Sequence, residues 1–335
     1  MITFTLITVV LLGLAFDYVN GFHDSANSIA TVVTTRALSP RNAVIMAAIL
    51  NFIGAFMFEG VAKTVSKGIV EAHLVDNQAI ILTALVGAIT WNLLTWWWGL
   101  PSSSSHALVG GLVGSALVFR GFNAVMWYDG VWKKVLLPGL VSPCLGLFGG
   151  FLVMAAIMWI FRRARPHEMT VGFRYGQLFS ASALSLAHGT NDAQKVMGII
   201  TLALVAGHVQ HDYAIPMWVK FACALMMALG TAAGGWRIIK TMGSNLAKLT
   251  PVNGFAAQAT ASGILFSTAW LGMPVSTTHV ISASIMGVGA TRRLSAVRWT
   301  VAGRILSAWF VTLPAAASVS ALMVLLLKPF IPELQ

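Results

Sequence analysis

Long stretches without a charged side chain are the feature that most limits how this chain can fold. Residues 77–119 and 249–291 each run for 43 positions without Asp, Glu, Lys or Arg. A membrane-spanning helix needs about 20 predominantly apolar residues, so each of these runs has room for two crossings. The pattern predicts an all-α polytopic membrane protein with about ten spans, in a range of roughly 8 to 12. Further uncharged runs are 1–16, 42–58, 135–161, 221–236 and 305–327.

The composition also indicates lipid rather than water as the solvent of this chain. Only 9% of its 335 residues are charged, whereas about a quarter are charged in a soluble domain. Basic residues outnumber acidic ones by 21 to 10, which raises the question of a nucleic-acid binder. They cluster, however, in short segments such as 162–174 and 292–298, as positive-inside anchors do. We therefore expect a lipid bilayer as a partner and no nucleic acid.

The distribution of charge predicts an orientation as well. The first 35 residues contain no Lys or Arg, and Arg36 and Arg41 follow. This start lacks the basic region of a cleaved signal peptide and predicts an external N-terminus. We expect a multi-pass protein of the plasma (inner) membrane. Cys144 and Cys223 stand alone in apolar segments, where packing is the expected role.

Two motifs occur twice in the chain. The segment from Thr95 to His106 matches that from Thr268 to His279 at an offset of 173, with Thr, Trp, Gly, Pro, Ser and His in common. Gly21-Phe22-His23-Asp24 similarly matches Gly189-Thr190-Asn191-Asp192 at an offset of 168. Internal repeats of this kind are typical of transporters built from two inverted halves. The predicted division is a first transmembrane repeat at 1–130, a connecting span and basic cytoplasmic linker at 131–174, a second repeat at 175–304 and a terminal transmembrane helix at 305–335.

Two aspartates lie inside apolar regions and therefore need a functional or structural reason. An Asp at bilayer depth costs about 2.5–3.5 kcal/mol, and Asp24 and Asp192 both carry that cost. On a helix, Asp24, Asn27 or Ser28, Thr31 and Thr35 share one face and offer oxygen ligands to a hard cation or a proton relay. We expect an interruption of the first span near Gly21, which leaves Asp17 near the membrane interface without an assigned role.

Lys195 follows Asp192 by three positions, close enough for an ion pair within one helix. Either the two charges neutralise each other, or Lys195 turns to an anion when Asp192 takes up a cation.

The repeated Pro-Ser-Ser-Ser-Ser-His and Pro-Val-Ser-Thr-Thr-His segments, which begin at Pro101 and Pro274, predict helix starts within the membrane. A buried helix start presents free N–H groups and the positive end of its dipole, so it favours an anion. Two such starts can grip a tetrahedral oxyanion from both sides, provided that a cation balances its charge.

Other functions share part of this pattern. Adjacent Ser and His residues in a membrane also occur in intramembrane serine hydrolases, and an anion channel would have a similar composition. A hydrolase needs one nucleophile and one base, whereas this chain duplicates the whole segment and has an acid in each half. Duplication favours a transporter rather than an enzyme.

The motifs at Gly21–Asn27, Gly189–Lys195 and Pro274–His279 resemble those of the PiT family of inorganic phosphate transporters. The resemblance covers essentially the whole chain. It implies inverted repeats with broken helices and re-entrant hairpins, a homodimer and phosphate symport without a cofactor. It also implies phosphate contacts from Ser103, Ser104, Ser105, Ser276, Thr277, Thr278 and Lys195, and coupling of a proton or cation at Asp24, Asn27, Asn191, Asp192, His23 and Gln258.

The coupling ion remains open between a proton and sodium. Of these residues, Asp24, Asn27, Asn191 and Asp192 are the candidate sodium ligands. His23 replaces the Asn of sodium-coupled members and resembles the proton-coupled bacterial branch, which takes up phosphate also as a metal complex. Gln258 and Asn51 stand where other members have acids, which weakens any coupling scheme that relies on those acids. Sulfate remains an alternative substrate, because some bacterial relatives carry it.

Overall fold

The computed structural model describes residues 4–67 and 78–328 of the chain. The described part is helical, with an isolated bridge between Ala247 and Val297 as its only β pairing. The helices are α1 (Phe4–Thr34), α2 (Pro40–Gly54), α3 (Gly60–Lys67), α4 (Gln78–Trp98), α5 (Ser104–Arg120), α6 (Leu137–Ile160), α7 (Pro166–Ala206), α8 (Met217–Ala233), α9 (Trp236–Lys240), α10 (Pro251–Trp270), α11 (Thr277–Ala290) and α12 (Trp299–Leu327).

Four described helical segments are individually long and apolar enough to cross a membrane, and α8 with the bent segment after it makes a fifth. The four are Phe4–Thr34, Gln78–Trp98, Trp127–Ile160 and Trp299–Leu327. The segment Trp127–Ile160 joins a π-helical stretch to α6. The all-α polytopic fold is therefore confirmed. The count of about ten spans includes the shorter helices and stays a prediction.

The predicted helix breaks at both Pro-Ser/Thr-His segments are confirmed. α4 ends before Gly99 and α5 begins at Ser104, while α10 ends before Leu271 and α11 begins at Thr277. The first pair forms an antiparallel hairpin, because Thr95 bonds Ser102 near the turn and Thr83 bonds Ser115 far from it.

Matched glycines end the first helix of each pair. Gly99 and Gly272 both have a left-handed backbone, with φ of 66° and 68°. Each allows the next N–H to bond back to a carbonyl five residues earlier, Leu100 to Thr95 and Met273 to Thr268. The conformation needs glycine, because an added Cβ is strained there.

The expected interruption of the first span is wrong. α1 is one helix from Phe4 to Thr34, and its counterpart α7 also passes unbroken through its acidic motif. Within the motif, Asp24 and Asn27 bond hydroxyl groups of α5 and α11, so these polar side chains do not require a break in the helix. Gly21 permits the close approach of α8, where an added Cβ would lie 2.5 Å from the carbonyl oxygen of Met227.

The packing repeats when the helices of the two halves are exchanged. α1 packs on α8 as α7 packs on α2, and α5 packs on α12 as α11 packs on α6. α1 and α7 lie side by side and antiparallel: Gly13 lies against Ile200, and Thr35 bonds Gln177. The domain boundaries stay predictions. α7 begins at Pro166, inside the predicted linker of 131–174, and α12 begins at Trp299, before the predicted 305. Residues 329–335 lie outside the described residues.

Two apolar cores enclose a polar layer. On α1 the first core ends at Phe16 and the second begins at Ala26. α7 runs in the opposite direction, so on it the second core ends at Ala187 and the first core begins at Ala193. Both acidic motifs lie in the gap between the cores, and both cores contain residues from both halves.

Candidate functional site

Two helix starts meet in the polar layer. Ser103 caps α5 by accepting a hydrogen bond from the backbone N–H of His106, and Ser276 caps α11 in the same way with His279, both at 3.2 Å. The rings of His106 and His279 lie 4.9 Å apart, centroid to centroid. The positive ends of two helix dipoles therefore lie close together within the protein.

Asp24 lies between these two helix starts. Its carboxylate accepts hydrogen bonds from Ser104 of α5 at 3.1 Å and from Thr278 of α11 at 3.3 Å. Its Oδ1 also lies 2.7 Å from Nδ1 of His23, whose Nε2 lies 3.0 Å from the hydroxyl of Thr95. The acid of the first half is thus bound to hydroxyls of both halves and to its own neighbouring histidine.

Asp192 lies beside it and is bound to a cation of its own helix. Lys195 donates to the Asp192 carboxylate, to the hydroxyl of Ser105 and, at 3.0 Å, to the carbonyl of Val275. Thr277 donates to the second oxygen of Asp192 at 2.9 Å. The ion pair expected from the spacing of Asp192 and Lys195 is present, and it also joins α5 to α11.

His188 completes this cluster, and the motif comparison missed it. Its Nε2 lies 3.1 Å from Asp192 Oδ2, and its Nδ1 lies 3.2 Å from Asn51, which donates to Thr231 at 2.8 Å. The signal was in the sequence, because His188 precedes Asp192 by one helical turn. Neither His188 nor Asn51 belongs to a matched motif, so the repeat does not mark them.

Two buried amides add oxygen atoms to the site. Asn27 donates to Thr277 at 3.2 Å and to Thr278 at 2.9 Å, and Asn191 donates to the carbonyls of Ala187 and Leu265. Among the described residues, neither amide oxygen has a hydrogen-bond partner. Buried polar atoms are rarely left without one, so these oxygens favour a ligand that carries a proton or a positive charge.

One arrangement of groups suits a cation. Ligand atoms of Asp24, His188 and Asp192 all lie within 4.8 Å of one another and are buried. The predicted sodium ligands were Asp24, Asp192, Asn27 and Asn191. The cluster in the structure contains the same two aspartates, with His188 as its third member. The carboxylate and amide oxygens suit a hard cation, and the histidines also suit a proton.

Two further residues of the sequence analysis, Gln258 and Asp17, are not hydrogen-bonded to the cluster around Asp24 and Asp192 in the described structure. Gln258 is buried but accepts a hydrogen bond at 2.9 Å from Ser180, which precedes Asp192 by about 18 Å along α7. Asp17 is fully buried within the protein on the unbroken α1, and its position at the membrane interface stays a prediction. All four buried acids and amines of the described chain lie on α1 or α7: Asp17, Asp24, Asp192 and Lys195.

The protein is helical and encloses two helix starts, two acids and a lysine between two apolar cores. This is the construction of a multi-pass membrane transporter. Comparison with known proteins identifies the class more closely. The sequence model of the Phosphate transporter family matches residues 20–172 and 161–320. The chain belongs to this phosphate transporter family and is not an enzyme.

Similar proteins span nearly the same length. A probable low-affinity inorganic phosphate transporter of Bacillus subtilis (strain 168) is 47% identical over 325 residues, which cover 96% of this chain and 97% of the relative. A protein of the same description from Rhizobium meliloti (strain 1021) is 49% identical over 95% of both chains. A solved structure described as the sodium-dependent phosphate transporter matches with a TM-score of 0.89 at 26% identity, covering 98% of this chain and 100% of that one.

Proposed function

We propose that this protein is a secondary symporter that moves inorganic phosphate together with protons by alternating access. Sodium is the alternative coupling cation. The observation that carries the proposal is that the two aspartates already hold the donors an anion would need. Ser104, Thr277 and Thr278 donate to carboxylates, and Lys195 is bound to Asp192.

This arrangement supplies a coupling mechanism. A proton or cation at Asp24 or Asp192 weakens the hold of that carboxylate on its hydroxyl donors and on Lys195. The released donors, together with the N–H groups of the two helix starts, then bind phosphate. Cation and anion binding therefore support each other, as symport requires.

Charge balance leads to the same conclusion. With the histidines neutral, Asp24, Asp192 and Lys195 leave one net negative charge in a buried site. Phosphate adds further negative charge, which a low-dielectric environment makes costly. A co-transported cation removes that cost, so the loaded site can cross while the site with phosphate alone cannot.

The packing supports alternating access between inverted halves. α1 and α7 are antiparallel, and the main contacts recur when the halves are exchanged, as two inverted repeats require. The polar layer lies between two cores made from both halves, so a rearrangement of the halves would open it to one side at a time.

Phosphate is proposed as the substrate because the relatives named above are described as phosphate transporters. The hydroxyl donors accommodate any tetrahedral oxyanion, so sulfate is the competitor to test. Uptake of phosphate as a metal complex belongs to the same proposal, with the metal as part of the cargo.

The proposed setting is a homodimer in the plasma (inner) membrane with an external N-terminus. Exposed apolar side chains on α6 and α12, such as Phe148 and Phe310, suit contact with lipid or with a second copy.

The test is uptake of labelled phosphate and labelled sulfate by proteoliposomes under imposed pH or sodium gradients. We expect phosphate to accumulate under an inward proton gradient, and sulfate to enter at least tenfold more slowly. Accumulation driven by sodium alone would replace the proton with sodium. Passive entry that follows only the phosphate gradient would contradict symport and indicate a channel.

Asp24→Asn tests the role of the site in the same assay. We expect at least a hundredfold loss of uptake in a protein that still inserts, because Asn cannot take up a coupling charge. Asp212→Asn is the matched control, since Asp212 is exposed in the connection between α7 and α8. Equal uptake by Asp24→Asn and the wild type would remove Asp24 from the mechanism.

A further inference from the structure

Asp17 is a buried acid that the proposed phosphate site does not use. It lies seven residues before Asp24 on α1. Seven residues are close to two helical turns, so the two acids share a face of α1 about 10 Å apart along its axis. Asp17 is fully buried, like the residues that bind Asp24, but none of those residues is hydrogen-bonded to its carboxyl group.

The surroundings of Asp17 contain few partners for a negative charge. Among the described residues, no hydrogen-bond donor is paired with either carboxylate oxygen, and the side-chain oxygen of Asn20 is also without a partner. The thiol of Cys223 on α8 faces the carboxyl group closely enough to interact with it. Asp192 and Lys195 on α7 act on it through their charges, with opposite signs.

On two neighbouring helices, α8 and α4, the other described ionisable groups are engaged elsewhere or absent. Lys220, one turn before Cys223 on α8, is bound to Glu59. α4, which also packs on α1, carries no ionisable side chain between Gln78 and Trp98. Among the described residues, a carboxylate at Asp17 would therefore be held by charge attraction from Lys195, against repulsion from Asp192.

The chemistry of this position favours a proton over a metal cation. A hard cation such as sodium needs several oxygen ligands, whereas Cys223 offers a thiol and Asn20, three positions further along α1, offers a single amide oxygen. A proton needs a single carboxylate oxygen and removes the whole cost of burying the charge. Cys223 and Asn20 can then serve as weak hydrogen-bond partners of the neutral acid.

We propose that Asp17 is the binding site of a co-transported proton, separate from the residues that hold phosphate. This inference rests on the proposed symport function. The carboxylate takes up a proton from the outer solution while the site faces out, and it releases the same proton to the inner solution. Protonation removes a negative charge near the Asp192–Lys195 pair, so it favours phosphate binding without touching the anion.

The test separates exchange of phosphate from its accumulation. In Asp17→Asn, the amide reproduces the shape and charge of the neutral acid but cannot release a proton. We expect phosphate–phosphate exchange at equal pH on both sides to stay within about twofold of the wild type, while accumulation under a pH gradient falls at least tenfold. Proton entry, followed with a trapped pH-sensitive dye during phosphate uptake, should fall with it.

Four outcomes are informative. Accumulation by Asp17→Asn at the wild-type rate overturns the proposal, and so does an equal loss of exchange and accumulation, which indicates a structural role. Asp17→Glu, which restores a carboxyl group, should recover gradient-driven uptake at least in part. Failure of the wild type itself to exchange phosphate would instead contradict the proposed function, and Asp212→Asn controls for the substitution.

An infrared measurement keeps the proposal testable if Asp17→Asn does not fold. The wild type at neutral pH should show the carbonyl band of a buried protonated carboxylic acid, and Asp17→Glu should shift that band. Absence of the band in wild-type protein would overturn the assignment.

Discussion

The two acidic motifs occupy equivalent helices, but their charges are balanced differently. Asp24 in α1 is surrounded by neutral donors, Ser104 and Thr278, and by His23. Asp192 in α7 has the ammonium group of Lys195 as its partner, with His188 on the other side. The repeat supplies an acid to both halves, whereas only the second half supplies a fixed positive charge.

Under the proposed symport, this difference gives the halves separate tasks. The Asp192–Lys195 pair is neutral as a unit and places an ammonium group next to both helix starts, where an anion would bind. Asp24 has no lysine partner and is the better place for a coupling cation in that proposal. The same helix pairing in both halves is therefore compatible with different chemistry at the two acids.

The strongest test of this comparison concerns stability. Asp192→Asn leaves Lys195 buried without its counter-charge, so we expect a loss of about 3–5 kcal/mol in the free energy of unfolding. Asp24→Asn should cost only about 1 kcal/mol, because its partners are two hydroxyls and the imidazole of His23 rather than a lysine ammonium group. Chemical unfolding in detergent micelles measures both.

The double variant Asp192→Asn/Lys195→Met provides the control. It removes both charges and should recover much of the lost stability while remaining inactive in transport. Equal losses for Asp24→Asn and Asp192→Asn would show that the two sites are balanced alike.

A second test concerns the helix contacts that the halves have in common. Gly114 and Gly287 match at the offset of 173, and an added Cβ would lie 2.0 Å from the carbonyl oxygen of Ala317 or Leu147, respectively. We expect Gly114→Ala and Gly287→Ala each to cost about 1–3 kcal/mol by overpacking. Thermal unfolding of the purified variants measures the loss.

Gly263→Ala is the matched control, since no atom lies within 4 Å of its added Cβ and the residue is helical. That change should be neutral or stabilising, because Ala favours a helix more than Gly does. If Gly114→Ala behaved like Gly263→Ala, the close contact of α5 with α12 would be wrong.

The two helix caps should respond equally. Ser103→Ala and Ser276→Ala each remove one cap hydrogen bond of 3.2 Å, so we expect about 1 kcal/mol of destabilisation in either half. Ser318→Ala, on the exposed side of α12, is a control that should stay within about 0.5 kcal/mol of the wild type. A loss confined to one half would show that only one helix start depends on its cap.

The smallest expected effect comes from a partly exposed charge pair, in which Glu59 lies outside the membrane-spanning segments and Lys220 lies in the first turn of α8. Glu59, before α3, is bound to Lys220 of α8 and lies 3.3 Å from Lys63. Hydrogen bonding to Lys220, above all, lowers the pKa of Glu59 below its usual 4.5. A lowered pKa means that this pair stabilises the folded protein above about pH 4.5 and loses that contribution as the pH falls through the folded-state pKa.

Glu59→Gln should therefore lower stability at neutral pH by a few tenths of a kcal/mol and leave stability at acid pH unchanged. Unfolding curves of the variant and the wild type across the acid range compare the two. A constant difference at every pH would assign the effect to packing rather than to charge.

Local patterns were sufficient for much of this molecule. The uncharged runs indicated a helical membrane protein, and the Pro-Ser/Thr-His segments indicated where α5 and α11 begin. Lys195 could be paired with Asp192 because residues three apart meet on any helix. These features depend on neighbours in the sequence, so the sequence alone was enough to predict them.

Contacts between distant segments needed the tertiary structure. Asn27 meets Thr277 and Thr278 across some 250 positions, and the link from Asn51 to His188 spans 137. Polarity suggested a break in α1, but Asp24 and Asn27 bond residues of other helices, and the helix continues through them. Gln258 of α10 lies away from the acids because it bonds Ser180, which is about three helical turns before Asp192 on α7.

Asp17 shows the limit most clearly. By sequence it is an acid near the end of an apolar run, and both an interfacial and a buried position agree with that pattern. Its burial follows from the packing of α1 against α7 and α8. The sequence by itself determined which residues carry charge and where helices begin, because both depend on chemical type and local spacing. Only the tertiary structure decided which charges share a dry environment, because that depends on helices brought together from both halves of the chain.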